Sequence, residues 1–179
     1  ARCIHNWGDD EIYDYRFQYD DDLRTTQCTN SLGHTSTYWH DEALQLIQQQ
    51  TPSGQIWRYE YNENGQRTKT IAPGGATTQY RYNALGQHIA VINPNGAITC
   101  FGYDKAGRCV KALDAMGQYW YREYGQNRYL EPTPLLLSER HPDGSLLRYE
   151  YDQRSNLVKL TRPDNIEHRF IWNEQDQLL

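Results

Sequence analysis

The stretch Gly54-Gln-Ile-Trp-Arg-Tyr59-Glu-Tyr61-Asn62-Glu-Asn-Gly65 decides the fold, because versions of it recur along nearly the whole chain. Its leading glycine returns at the same interval as Gly33, Gly75, Gly96 and Gly117. A repeat of fixed length indicates that each copy is one supersecondary unit, which cannot bury its own face alone. The sequence therefore predicts a chain of stacked, nearly identical units.

Each repeat places two aromatic residues, two positions apart, directly before an aspartate or asparagine, and in the clearest copies a glycine follows. The first copy is degenerate, with Ile12 in place of the leading glycine, and in the second copy a histidine replaces an aromatic residue. We predict a structural role for all these positions. They are Phe17, Tyr19, Asp20, Tyr38, His40, Asp41, Tyr59, Tyr61, Asn62, Gly65, Tyr80, Tyr82, Asn83, Gly86, Phe101, Tyr103, Asp104, Gly107, Tyr149, Tyr151, Asp152, Phe170, Trp172 and Asn173.

Clear repeats carry two turn signals at opposite ends. One is the pattern from Asn62 to Gly65, in which the Asx side chain bonds the following backbone and glycine supplies a positive φ. The other contains proline, as in Thr51-Pro-Ser-Gly54. Two turns in each repeat leave room for two strands of about six to eight residues. The predicted fold class is all-β, an antiparallel β-meander of about eight 21-residue hairpin repeats that form a curved sheet.

The strand pattern predicts one aromatic face and one polar face. Trp57, Tyr59 and Tyr61 alternate with Arg58 and Glu60, which is the period-two pattern of a half-buried strand. The segment Glu42–Gln50 has the composition of a helix, but it occupies the second-strand position of its repeat. We therefore predict a strand there.

A turn in which Asn62 faces Gly65 also predicts the register of the hairpins. The expected cross-strand pairs are Tyr59 with Thr68, Tyr80 with Ile89, Phe101 with Val110, and Tyr149 with Val158. An aromatic residue opposite a β-branched one contributes about 0.2–1 kcal/mol per pair. Stacked along the repeats, such pairs predict a continuous aromatic ladder.

One repeat is irregular, because the interval from Gly117 to Gly144 is longer than the interval between the earlier leading glycines. The predicted insertion lies at Gln126–Pro132, where Pro132 and Pro134 are expected to interrupt strand pairing. We predict a single repeat region over residues 1–179, with the irregular repeat at about 117–143. The chain starts without methionine and stops inside a repeat, so we expect it to be a fragment of a larger protein.

Composition narrows the class of partner. Hydrophobic residues make up 37% of the chain, which predicts limited apolar burial, whereas 13% aromatic residues argue against disorder. The net charge of −5 disfavours nucleic acid, whose binding needs a clustered basic face. No apolar run approaches the roughly 18 residues of a membrane span. Open sheet edges predict self-association.

The candidate catalytic and metal residues all have simpler explanations. His40 stands where other repeats have tyrosine, and the cluster Asp20-Asp21-Asp22 lacks the spaced ligands and turn glycine of a calcium loop. Cys3, Cys28, Cys100 and Cys109 show no zinc-ligand spacing, so we expect reduced thiols. Cys100 and Cys109 lie on facing strands as possible diagonal neighbours, but we expect no disulfide. We predict no catalytic residue, cofactor or metal site, and no enzymatic activity.

The tyrosine rows leave two interpretations open. Exposed aromatic rings beside Asp and Asn can stack on sugars, which predicts a carbohydrate-binding or adhesive module of a cell-surface protein. Alternatively, the rings pack on one another and stiffen a single-layer sheet. The second interpretation is favoured because the positions recur in every clear repeat.

These motifs resemble the Rhs/YD-repeat family, whose tyrosine–aspartate signature is present here as Tyr19-Asp20, Tyr103-Asp104 and Tyr151-Asp152. The resemblance covers about residues 7 to 179. The segments Arg2–Tyr13 and Ser31–Thr35 are similar to the early repeats of bacterial Rhs proteins.

The resemblance implies a long β-strip that coils into a hollow shell, or β-cocoon, around a C-terminal toxin, as in toxin-complex C subunits and, without the cargo, teneurins. The implied partners are the rest of the Rhs polypeptide and its toxin, with secretion spike proteins or a chaperone as further candidates. The implied location is the bacterial cytoplasm before export, followed by secretion or delivery as a type VI-like effector. The family's Asp-Pro self-cleavage motif is absent from this sequence, so that chemistry is not expected in this segment.

Overall fold

The computed structural model describes residues 2–6, 14–126 and 131–179, and within them it contains strands and no helix. The prediction of an all-β fold is therefore confirmed. The strands are β1 (His5–Asn6), β2 (Tyr15–Asp20), β3 (Thr25–Asn30), β4 (Thr35–His40), β5 (Leu46–Gln50), β6 (Ile56–Tyr61), β7 (Arg67–Ile71), β8 (Thr77–Tyr82), β9 (His88–Ile92), β10 (Ile98–Tyr103), β11 (Cys109–Leu113), β12 (Tyr119–Gln126), β13 (Pro132–Arg140), β14 (Leu146–Tyr151), β15 (Leu157–Thr161) and β16 (Glu167–Arg169).

The strand order follows the chain, because each strand is hydrogen-bonded to the next one in sequence in a 16-stranded sheet. Neighbouring strands are antiparallel, as in the hairpins β2–β3, β6–β7 and β14–β15. The predicted meander is thus confirmed, and Glu42–Gln50 contributes the strand β5 and no helix. The described residues contain no helix that is long and apolar enough to cross a membrane.

The chain forms two compact units. One consists of residues 1–81 and 92–96, and the other of residues 82–91 and 97–179. Each unit is a series of the same hairpins, joined by the same two kinds of turn.

The Asx turns form as the sequence predicts. Asn62 Oδ1 accepts hydrogen bonds from the backbone N–H groups of Asn64 and Gln66, at 3.1 and 3.0 Å. The N–H of Gly65 donates to the carbonyl of Asn62 at 3.0 Å, and Gly65 has a φ of 75°. Glycine is favoured at this position because it has no Cβ to clash in the left-handed region.

Repeats without this glycine keep the same backbone. Leu44 has a φ of 61° and Ser155 a φ of 73°, both left-handed values that cost non-glycine residues about 1–2 kcal/mol. The surrounding hairpins impose the conformation on them. Turn geometry is therefore a property of the repeat and is not set by one residue.

The predicted cross-strand register is wrong by two residues. Tyr59 pairs with Thr70, Phe101 with Ala112, and Tyr149 with Leu160. Two causes, each adding one residue, account for the shift. The turn places Asn62 opposite Gln66, which lies one residue beyond Gly65, and a β-bulge follows between Glu60 and Tyr61. The pairing of Tyr80 with Ile89 stays a prediction.

The predicted interruption of strand pairing is wrong for Pro132, whereas the register shifts around Pro134. Pro132 begins β13 and pairs with Gln126, and Pro134 lies within the same strand. The hairpin adapts through two register shifts, on either side of Tyr124, so the insertion lengthens the strands instead of ending them. Residues 127–130 of the insertion lie outside the described residues, as do Ile12 and the rest of 7–13.

Cys100 and Cys109 are not diagonal neighbours. Cys100 pairs with Leu113 and Cys109 with Tyr103, so they lie at opposite ends of the β10–β11 hairpin. The register shift is again the reason. All four cysteines are free thiols, as expected.

The sheet has almost no core. Among the described residues, only Ala90 and Gly125 are buried. Tyr59 and Tyr61 are half-buried and Arg58 and Glu60 exposed, which matches the predicted aromatic and polar faces. Contacts between neighbouring strands must therefore supply most of the stability.

Candidate functional site

In six repeats the second aromatic residue donates a hydrogen bond to a backbone carbonyl of the preceding repeat. Tyr61 Oη lies 2.8 Å from the carbonyl oxygen of Leu46, and Tyr103 Oη lies 2.7 Å from that of His88. The same inter-repeat hydrogen bond is made by Tyr19, Tyr124, Tyr151 and Trp172 to Cys3, Cys109, Leu136 and Leu157, at 2.7, 3.1, 3.0 and 2.8 Å. The tyrosine hydroxyls and the indole N–H of Trp172 thus donate their hydrogen bonds within the sheet.

The acceptor carbonyls lie where the strand ladder is interrupted. Leu46 pairs with His40 at a β-bulge, and β5 pairs with β6 only from Gln48 onward. The carbonyl of Leu46 therefore lies outside the backbone ladder on the side of β6, and the hydroxyl of Tyr61 takes the place of a strand N–H. A partly buried carbonyl without a partner costs about 1–3 kcal/mol, so this contact stabilises the junction between repeats.

The first aromatic position of the repeat does not require a hydrogen bond to a backbone carbonyl. Tyr59 Oη donates only to the Gln49 side chain, at 3.3 Å, and its ring packs under the Arg67 guanidinium at 4.5 Å. Burial raises the pKa of the Tyr59 hydroxyl, as expected for a half-buried phenol. This difference explains why phenylalanine occurs at the first position, in Phe17, Phe101 and Phe170, and never at the second.

Sequence reasoning missed Tyr124 as a motif residue. It lies one repeat length after Tyr103 and makes the same inter-repeat hydrogen bond, although its repeat lacks the first aromatic residue and the acid. The sequence did contain a signal for Tyr124, because the second aromatic position of every repeat carries a side chain with an O–H or N–H donor. His40 fits this rule with a longer contact, from Nδ1 to the carbonyl of Arg24 at 3.4 Å.

A charged pair replaces aromatic packing in the irregular repeat. Arg122 occupies the first aromatic position and donates from Nε to Glu139 Oε2 at 2.7 Å, while His141 Nε2 lies 3.1 Å from the other carboxylate oxygen. Burial works to raise the pKa of Glu139, but the hydrogen bond and charge of Arg122 outweigh it, and the pKa lies below its ordinary value. The pair keeps the widened hairpin in register without an aromatic ring.

Arg108 ties the insertion to the preceding turn. Its Nη1 donates to the carbonyls of Gly125 and Thr133, at 2.9 and 2.7 Å, and its Nε donates to Asp104 Oδ2 at 2.7 Å. The backbone N–H of Arg108 is the main cause of a lowered pKa at Asp104. Sequence reasoning missed this residue as well, because nothing in the local pattern shows that the insertion folds over it.

The opposite face carries ion pairs. Lys69 Nζ lies 2.8 Å from Glu60 Oε2, across a directly paired position of β6 and β7. Lys159 contacts Glu150 across a directly paired position of β14 and β15, and it contacts Glu167 of β16 diagonally at 3.5 Å. Exposed pairs of this kind contribute at most about 1 kcal/mol each, so they matter for register more than for stability.

The other candidate residues are not brought together. Asp20 caps its turn by accepting from the N–H of Leu23 at 2.9 Å, and no group of three possible metal ligands occurs in the described ranges. Asp20 makes its contact inside its own turn, whereas His40 contacts the carbonyl of Arg24 in the preceding repeat. The absence of catalysis and of cofactors stays a prediction.

Comparisons with known proteins agree with this architecture. The RHS Repeat family matches residues 40–77 and 61–98. A search of curated proteins finds no match. Among solved structures, a chain from the Photorhabdus luminescens Tc holotoxin pore is similar over 99% of this chain, at 14% identity and a TM-score of 0.71. The crystal structure of TcdB2-TccC3 is similar over 93% of this chain, at 11% identity and a TM-score of 0.41, too low to carry an argument.

The matched chains are much longer, since this chain spans only 11% and 13% of them. The sequence match covers the clearest copies, and the same hairpin, Asx turn and inter-repeat hydrogen bond continue on both sides of it, for example at Tyr19 and Tyr151. The RHS Repeat family is thus matched over residues 40–98, and beyond that range the similarity to the solved structure is one of fold.

Proposed function

We propose that this chain is a wall segment of an Rhs-type shell that houses a C-terminal toxin within a longer polypeptide. The inter-repeat hydrogen bond is the observation that carries the proposal. It recurs from Tyr19 to Trp172 and joins the hairpins that carry it to the preceding ones, so its effect is to continue a sheet and not to create a pocket. The similarity to a chain of a Tc holotoxin pore supports the same role.

The near absence of a core also supports a wall. A single-layer sheet with both faces accessible has little interior of its own, but it can separate an enclosed volume from solvent. We further propose that the segment has no catalytic activity of its own and needs no cofactor. In this scheme the longer protein is made in the bacterial cytoplasm and then secreted or delivered, with spike proteins or a chaperone as additional partners.

The test uses the full polypeptide that contains this segment. Limited proteolysis is followed by a label at its extreme C-terminus, in the intact protein and in a variant without residues 54–95, which are two complete repeats. We expect the C-terminal region to be protected in the intact protein and cleaved rapidly in the deletion variant. Equal cleavage in both proteins contradicts a shell role.

The carbohydrate-binding alternative has less support. Its best candidates were the tyrosine rows, but Tyr61 and Tyr103 use their hydroxyls for backbone carbonyls, and the ring of Tyr59 is covered by Arg67. Glycan-array binding that is lost in Tyr59→Ala and Tyr80→Ala variants is the result that favours this alternative.

A further inference from the structure

One part of the polar face departs from the repeat. In β6–β7 and β14–β15 a lysine faces a glutamate, as Lys69 faces Glu60. At the equivalent position of β10–β11, Lys111 faces Gly102. A Cβ on Gly102 would meet Lys111 Cβ at an ordinary 3.5 Å, so the backbone does not require glycine there. The lysine is therefore left without its cross-strand carboxylate.

Two tyrosines occupy the next strand on the same face. Tyr121 pairs directly with Lys111, and Tyr119 lies two residues before it in β12. The rings stack with centroids 5.8 Å apart, and Lys111 Nζ lies 4.1 Å from the Tyr119 centroid and 5.5 Å from that of Tyr121. Other repeats have no aromatic residue at these two positions; β6, for example, has Ile56 and Arg58.

Two arginines extend this cluster. Arg140 pairs with Tyr121 across β12–β13, and Arg148 lies on the adjacent strand β14. Both are exposed, and within the described part of the chain neither side chain has an ion-pair or hydrogen-bond partner. Tyr121 and Arg140 line two adjoining surface grooves, one of which continues to Tyr119 and the other to Arg148. We name Lys111, Tyr119, Tyr121, Arg140 and Arg148 the cationic tyrosine patch.

We propose that the cationic tyrosine patch binds an acidic polypeptide segment, one that carries several Asp or Glu side chains. The patch has three cations, against the carboxylates of Asp143 and Glu123 that line the same two grooves, and this local excess of positive charge in a chain of net charge −5 favours an anionic partner. Arginine and lysine pair strongly with carboxylates, and the two phenol hydroxyls can donate further hydrogen bonds.

The ring geometry argues against the other anionic ligands. Sugars and nucleobases stack on open ring faces. In the patch the two rings stack on each other and Lys111 lies over the Tyr119 ring, so part of each ring face is already occupied, whereas the hydroxyls and the cationic groups are open to a ligand. The exposed fractions, 37% for Tyr119 and 44% for Tyr121, fit partly covered rings.

The test measures binding of a fluorescent oligoglutamate peptide to the 179-residue chain at low ionic strength, by fluorescence anisotropy. We expect binding that weakens as salt rises to about 0.15 M. The substitutions Lys111→Gln and Arg140→Gln should each weaken it by about tenfold, the usual effect of losing a charged hydrogen bond. Arg58→Gln is the matched control, because Arg58 is an exposed arginine on the polar face of β6, and it should change binding less than about twofold.

Circular dichroism of each variant confirms that the sheet is intact, since the substituted groups project from the polar face. Absence of oligoglutamate binding, or equal loss in the Arg58→Gln control, overturns the proposal. If oligogalacturonate binds more tightly than oligoglutamate, with the same dependence on Lys111 and Arg140, then the patch binds an acidic saccharide and not an acidic peptide. The proposal does not depend on the shell role, and its failure leaves that role unaffected.

Discussion

The substitution Tyr61→Phe removes one hydroxyl group and leaves the ring in place. The lost contact is the 2.8 Å hydrogen bond to the carbonyl of Leu46, which lies beyond the end of the β5–β6 ladder. Because Tyr61 and Leu46 are both half-buried, water replaces that bond only in part. We expect a loss of about 1–2 kcal/mol in the free energy of unfolding. For a chain of this size each kcal/mol lowers the melting temperature by about 2–4 °C.

Urea denaturation followed by tryptophan fluorescence measures the effect, with Trp39 and Trp57 as reporters close to the altered junction. The slope of the transition should stay unchanged while its midpoint falls. Tyr59→Phe is the matched control. Its hydroxyl makes only a 3.3 Å contact to the Gln49 side chain, and the equivalent position carries phenylalanine at Phe101. We expect less than about 0.5 kcal/mol for this change.

The comparison separates two explanations of the tyrosine rows. If Tyr61→Phe is as stable as the wild type, or if Tyr59→Phe costs as much as Tyr61→Phe, the inter-repeat hydrogen bond is not what joins the repeats. Aromatic packing is then the stabilising interaction, since both variants keep their rings.

Three further predictions concern the turns and the insertion. Leu44→Gly should raise the free energy of unfolding in urea by about 1 kcal/mol, because the φ of 61° strains leucine and not glycine; a lower value contradicts this reasoning. Asp104 has a pKa below its ordinary value of 3.8 in the folded protein. The ionised carboxylate therefore stabilises the fold at pH values above 3.8, and the protein loses this stabilisation as the pH falls through the lowered pKa of the folded state. Asp104→Asn, which keeps the turn acceptor, should therefore show a weaker stability loss in acid titration than the wild type, and an identical acid profile is the contrary result. Arg108→Gln should speed amide hydrogen exchange in β12 and β13, because it removes the donor to Gly125 and Thr133; unchanged protection there shows that the insertion is held by other contacts.

Repeat length and turn chemistry were predictable from the sequence because they depend on local rules. The Asx residue and the glycine of Asn62–Gly65 specify a turn whatever surrounds them, and two turns in each repeat leave only a hairpin. Periodicity also outweighed local propensity at Glu42–Gln50, where the helical composition gave way to the strand β5. The aromatic and polar faces followed from the same alternation.

The register was not predictable by the same rules. A bulge adds one residue without changing the periodicity of the pattern, and together with the wider turn it shifted the partner of Tyr59 from Thr68 to Thr70. Local rules also misjudged Pro132, because a proline can begin a strand when its missing N–H is not needed by the ladder.

By itself, the sequence determined the number of hairpins, their turns and their two faces, since each of these depends on residues close together in the chain. Only the tertiary structure decided what each motif residue contacts. The hydroxyl of Tyr61 meets a carbonyl 15 residues away, and Arg108 meets one 25 residues away at Thr133. Such contacts depend on the register of neighbouring strands, which bulges and insertions set and which the spacing of the motif does not record.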